Sequence, residues 1–229
     1  MTSYEQTKAG WDNAAKSENA NAAIHPAGLK GEVQYKATGE GNAMEIINCI
    51  HRMGTLQELQ YFSKNPLNKS TIIDIGCGNG RVTIPLTSHF NHIYGVDFSY
   101  AMLQQLPRDT NIFPVLSVDN WFGLPESADY AFSISVFIHN TYESGVKLMQ
   151  SISDNLKPGG LALLQIPVYE HARKPESWTG VGVWTSDALE HAAKVTGFEI
   201  IEMHTNRGHF DYVKNIGPNH HKFQILKKL

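Results

Sequence analysis

The chain has 229 residues, 41% of them hydrophobic and 18% charged, with a formal net charge of −3. That size and balance fit one globular domain with one sizeable core. The slight negative charge speaks against the basic field of a general nucleic-acid binder. No apolar run approaches the ~20 residues of a bilayer span, and the start, MTSYEQTKAG, lacks the basic and apolar regions of a secretory signal. Cys49 and Cys77 suggest neither a disulfide framework nor a zinc site, so a cytoplasmic location is expected.

Residues 1 to about 40 mix Ala, Asn and Gly with polar residues, a pattern that predicts short helical turns of weak periodicity. From Asn42 to Lys64, the residues Met44, Ile47, Ile50 or His51, Leu56, Leu59 and Phe62 fall near helical spacing, and Asn65-Pro66 ends the pattern. Residues 1–66 are therefore expected to form an N-terminal cap or lid with its helix, and 67–229 one compact unit. Within that unit, strands are predicted at Thr71–Ile75, His92–Val96, Ile112–Leu116, Tyr130–Val136, Leu161–Pro167, Glu199–His204 and Lys222–Lys227. Helices are predicted at Gly80–Phe90, Tyr100–Leu106, Tyr142–Leu156 and Asp187–Thr196. Short apolar strands alternating with helices indicate a mostly parallel sheet covered on both faces. No helix separates the last two strands, so the final one is expected to run antiparallel at or near an edge.

The stretch IIDIGCGNGR places Gly76, Gly78 and Gly80 between the first strand and a predicted helix. Glycines there permit positive φ and let a ligand approach the backbone, with the free N–H groups of the following helix aimed at it. Asp97 closes the second strand 17 residues after Gly80, where a carboxylate binds ribose hydroxyls. That alone suits a nicotinamide cofactor equally well. Asp74 discriminates, because it precedes the glycines by two residues. It would repel a diphosphate and accept a cofactor with a cationic end.

With DIGCGNGR, GVDFSYAML, LPESADYAFSISVFIH and LKPGGLALLQIP in this order, the chain from Thr71 to Leu229 resembles the class I S-adenosylmethionine-dependent methyltransferases. The resemblance implies an α/β, Rossmann-like, seven-stranded and mostly parallel sheet with its last strand antiparallel, plus an N-terminal helical cap. It implies methyl transfer from S-adenosylmethionine to an oxygen or nitrogen of a small molecule. Gly76, Gly78 and Gly80 would line the methionine part of the cofactor, with Cys77 in the same loop and Asp74 near the amino group. Asp97 would take both ribose hydroxyls, while Phe98 and Met102 press on the adenine. Asp119 corresponds to the acid that receives the adenine amine, but it stands five residues before Leu124 where the family spaces it four. Asn120 stands at four and is the alternative, through its carbonyl, with Trp121 flanking the ring.

His139 follows the fourth strand where the family often carries a histidine facing the reaction zone. It is a candidate catalytic base for an acceptor O–H or N–H, or else a residue that holds its loop. His209, His220 and His221 match no metal-ligand spacing, so no metal is expected. Trp11, Tyr35, Trp178 and Trp184 lie in segments that the family uses as a substrate lid, or they cap the core. SVFIHN lacks the Asn/Asp-Pro-Pro-aromatic motif of nucleic-acid amino-methylation, so the expected partner is a small acceptor, with neither nucleic acid nor membrane. A non-catalytic module that only binds the cofactor is the alternative function.

Overall fold

The computed structural model describes residues 4–16, 32–54, 66–177, 180–205 and 223–229. Seven strands form one sheet: β1 (Thr71–Ile75), β2 (His92–Asp97), β3 (Ile112–Leu116), β4 (Ala128–Ser133), β5 (Leu156–Leu164), β6 (Phe198–Glu202) and β7 (Gln224–Lys228). Their spatial order is β3-β2-β1-β4-β5-β7-β6. The first five pair in parallel, and β7 runs antiparallel to both β5 and β6. The expected reversed strand is thus one place in from the edge. Chain order reverses between β1 and β4, and in an open α/β sheet such a switch point opens a crevice at the carboxyl ends of the strands.

Among the described residues, five helices accompany the sheet: α1 (Tyr4–Lys16), α2 (Glu32–Gly54), α3 (Tyr100–Leu103), α4 (Tyr142–Asn155) and α5 (Ser186–Val195). Strand residues alternate between the two faces, as the period of two demands. Ile72, Ile93, Phe132 and Leu163 pack with Ala43, Ile46, Ile47, Ile50 and Met53 of α2. Ile73, Val96, Ala131 and Leu164 pack with Leu148, Met149 and Ile152 of α4 and Leu189 and Ala192 of α5. Each fully buried aliphatic side chain stabilises the fold by about 1.5–3 kcal/mol relative to exposure. Thr141 and Thr185 accept the N–H of Ser144 and Ala188 at the starts of α4 and α5.

The structure departs from the sequence-based expectations at several points. Gly80–Phe90 is not an α-helix but a run of turns followed by a 3-10 segment, Ile84–Ser88. Pro85 has no N–H to give to the carbonyl of Arg81 four residues back, so a continuous helix cannot pass. The free N–H groups expected of a helix after the glycines are therefore those of a turn. α3 stops at Leu103 rather than Leu106. β4 ends at Ser133 rather than Val136 because Ser135 takes a φ of 60° and turns the chain out of the sheet. At the N-terminus, short turns are replaced by a helix of 13 residues and one of 23.

Candidate active site

β1 delivers the glycine turn directly into the crevice. Gly76, Gly78 and Gly80 have φ of 71°, 56° and 92°, and a Cβ on Gly76 would run into the side chain of Val136 beyond β4. The turn folds back on β2: the N–H groups of Gly76 and Cys77 both donate to the Val96 carbonyl, at 2.7 and 3.1 Å. Cys77 is buried with its thiol pushed well above the usual range by that burial, so it stays a neutral thiol rather than a nucleophile.

Two buried acids flank this turn. Asp74 is 4% exposed and its Oδ2 accepts the Thr83 hydroxyl at 2.6 Å. Burial pushes its carboxyl up to about 7, against the hydroxyl of Thr83 and the charge of Arg81, with Asp97 adding to the rise. Arg81 is itself held by Asn42 of α2, Nη1 to Oδ1 at 2.7 Å. Asp97 is 8% exposed. Its Oδ2 accepts the N–H of Gly78 at 2.9 Å and its Oδ1 the N–H of Ser99 at 2.8 Å. Burial raises its carboxyl to about 6; the N–H groups of Ser99, Gly78 and Phe98 pull it down and Asp12 adds to the rise. Two carboxylates held ready to ionise in a buried turn form a region that favours positive charge.

Phe98 and Met102 follow on the same side, Met102 fully buried and Phe98 meeting Tyr4 of α1 with ring centroids 6.0 Å apart. Beyond β3, Asp119 and Asn120 both adopt positive φ, 50° and 62°, and their side chains diverge. The Asp119 carboxylate faces solvent and pairs with Lys147 at 2.9 Å. Asn120 turns inward, its Nδ2 donating to Asn140 Oδ1 at 3.4 Å and to the Ser144 carbonyl at 3.3 Å. Trp121 is 64% exposed.

His139 lies at the end of a 3-10 turn, Phe137–His139, after β4. Its Nδ1 is 2.9 Å from the Gly180 carbonyl. A carbonyl can only accept, so Nδ1 carries the proton and Nε2 the lone pair. Burial lowers its pKa, with the Gly180 bond opposing, and the ring is therefore neutral near pH 7. Trp11 of α1 meets it edge-on at 5.9 Å. The segment after β5 is also tied here, Gly182 N–H donating to the Ile138 carbonyl at 2.5 Å. Three segments distant in sequence thus converge on His139. Trp184 packs in the core against Phe137 and Tyr142. The side chains of Tyr35 and Trp178, and the cluster His209, His220 and His221, fall outside the described residues.

Tyr4, Asp12, Thr83, Ser99 and Gly180 join the site without having been anticipated. Ser99 was legible as a helix N-cap in DFSYAML, since it precedes an apolar helical start. Gly180 acts through its carbonyl, which leaves no residue-type signal at all.

A sequence model described as a methyltransferase domain matches residues 49–203. Cypemycin N-terminal methyltransferase of Streptomyces is 30% identical over 108 residues, 44% of this chain and 44% of that protein. The matches cover less than half the length of the curated relatives. Magnesium protoporphyrin IX methyltransferase from Synechocystis, solved with bound S-adenosylmethionine, superposes with a TM-score of 0.63 at 13% identity, covering 97% of each chain. An amino pentose methyltransferase from Micromonospora echinaspora gives a TM-score of 0.58 at 15% identity, covering 88% of this chain and 99% of its own. The chain belongs to the methyltransferase-domain family, whose cofactor is S-adenosylmethionine, and has the Rossmann-like fold of the class I enzymes.

Proposed function

We propose that this chain transfers the methyl group of S-adenosylmethionine to a nitrogen or oxygen of a small molecule. The observation that carries the reading is the pair of buried carboxylates, Asp74 and Asp97, on either side of a glycine turn with positive φ. A dinucleotide would bring a diphosphate against Asp74, where an ionised carboxylate would repel it and the carboxyl, at about 7, would have to hold its proton. A sulfonium and an ammonium reverse the sign of that interaction.

The donor groups fit such a cofactor. A carboxylate offers about four lone-pair sites; the Asp97 oxygens hold the N–H groups of Gly78 and Ser99 within 3 Å, with that of Phe98 also drawn to them, and keep capacity for a ribose hydroxyl. Asp74 would stand near the ammonium group, and the three glycines would line the methionine portion. Phe98 and Met102 would flank the adenine. For its exocyclic amine, Asn120 is the better partner than Asp119: its nitrogen is engaged by Asn140 and Ser144, which leaves the carbonyl, while Asp119 is turned to Lys147 in solvent.

The bound cofactor supplies an electrophilic methyl group on a cationic sulfur. The chain contributes alignment and exclusion of water, effects that lower a barrier by several kcal/mol. His139 would receive the acceptor's proton at Nε2, because Nδ1 is committed to Gly180. A nitrogen acceptor is favoured, since one of the curated relatives is named an N-terminal methyltransferase. α1 would close the crevice as a lid and exclude water from it. Incubation of the protein with S-adenosylmethionine and fractions of a metabolite extract tests the reading. Formation of S-adenosylhomocysteine together with a product one methylene heavier is the expected outcome; binding without any turnover would leave only the non-catalytic module.

A further inference from the structure

Two adjacent residues of α1 reach opposite halves of the site. Trp11 sets its ring against His139 on the acceptor side. Asp12 takes the Ser99 hydroxyl on Oδ1 at 2.5 Å, while its Oδ2 holds Lys8 at 2.5 Å. Ser99 in turn gives its backbone N–H to Asp97, caps α3 by accepting the Met102 N–H at 3.3 Å, and thereby connects α1 to the glycine turn. An unbroken run of hydrogen bonds leads from Lys8 through Asp12, Ser99 and Asp97 to Gly78.

Among the described residues, α1 adds little apolar burial. Its buried residues are Ala14 and Ala15, which offer only a few methyl groups of burial. Further ties are polar or aromatic, among them Tyr4 against Phe98, the Tyr4 hydroxyl on the Ser117 carbonyl at 3.4 Å, and Gln105 on the Ala15 carbonyl at 3.0 Å. Where the seat of a helix depends on a few polar contacts, whatever orders their partners also orders the helix.

We propose that Asp12 is a positioning residue which fixes α1 to the cofactor half of the site through Ser99, so that filling that half tightens the acceptor half through Trp11 and His139. The inference rests on the S-adenosylmethionine reading above. Ligand bound at Asp97 restrains Ser99, Ser99 restrains Asp12, and Trp11 cannot leave His139 while Asp12 is held. By linkage the coupling is reciprocal: an occupied acceptor half strengthens cofactor binding by the same factor.

The test uses the full chain and S-adenosylhomocysteine as probe, with calorimetry for affinity and hydrogen exchange for order. In the wild type the probe should slow exchange in residues 4–16 and also in 137–140. Asp12→Ala should weaken the probe about fivefold to tenfold, the loss expected for one hydrogen bond, and abolish its effect on 137–140. Asp12→Asn, which still accepts from Ser99, should restore both to within about twofold. Trp11→Ala should keep the affinity while exchange in 137–140 no longer responds. Unchanged exchange in β1 and β4 shows that each variant is folded. Wild-type affinity with full protection of 137–140 in Asp12→Ala overturns the inference, as does Asp12→Asn behaving like Asp12→Ala. A wild type that ignores the probe strikes the functional reading itself.

Discussion

Replacing Asp97 by alanine removes the one side chain that the cofactor reading uses most. Its two oxygens are already fixed by Gly78 and Ser99 at 2.9 and 2.8 Å, so in the proposed complex they would meet the ribose without reorganising. Hydrogen bonding of the ribose to a carboxylate, after exchange with water, amounts to about 2–4 kcal/mol. The Kd for S-adenosylhomocysteine should therefore rise roughly thirtyfold to several hundredfold. Folding responds differently. Alanine leaves two buried N–H groups without an acceptor, about 1–3 kcal/mol each, but it also removes a buried charge whose pKa of about 6 marks the cost of ionising it there. Those effects oppose, so the variant should stay folded with a modest change in Tm. Asp97→Asn, which keeps one acceptor oxygen, separates the two contributions: it should fold more stably than alanine and still lose most of the affinity. Calorimetry on variants shown to be folded by circular dichroism is the assay. An Asp97→Ala protein with wild-type affinity would refute the placement of the ribose and the reasoning built on it.

The ligand-free protein should lose stability as pH rises from about 4 to 7, because folded Asp97 and Asp74, at about 6 and about 7, keep protons that the unfolded chain has released. Melting curves across that range should show the fall, and Asp74→Asn should flatten it. Over the same range the affinity for S-adenosylmethionine should rise as these acids ionise, which calorimetry at about pH 5.5 and 7.5 would show. Gly76→Ala should cost about 1–3 kcal/mol in thermal or chemical melts, since alanine is strained at a φ of 71° and its Cβ meets Val136. Removal of residues 1–16 should leave a folded protein that binds S-adenosylhomocysteine more weakly and has lost turnover; full turnover would reduce α1 to an appendage. Cutting at about residue 40 is a poorer test, because α2 starts at Glu32 and its Gly39 lies against the Arg81 carbonyl. Dialysis against a chelator should leave Tm and turnover unchanged, whereas activity restored by one added divalent ion would assign His209, His220 and His221 a metal.

What could be read in advance follows physical signal strength. β1 and β3 were placed to the residue, because TIIDI and IFPVL are short apolar runs bounded by breakers. The reversed β7 followed from a sequence that predicts no helix between the last two strands. α1 was missed since its buried face is two alanines; a helix seated by Tyr4, Trp11 and Asp12 carries almost no apolar period. The span Gly80–Phe90 misled because Ile84, Leu86 and Phe90 look helical while Pro85 forbids the bond that would join them. At the site, acids and glycines were legible by type and spacing. Contacts made by backbone carbonyls, such as Gly180 on His139, and the divergence of Asp119 from Asn120 depend on φ, which residue type alone did not fix.

One titration bears on the central claim most directly: S-adenosylhomocysteine and a nicotinamide dinucleotide, each added to the purified protein at neutral pH in a calorimeter. Asp74 and Asp97 beside the glycine turn predict saturable binding of the first, at one site per chain, and none of the second. No heat from S-adenosylhomocysteine, or saturable binding of the dinucleotide in its place, would contradict the account.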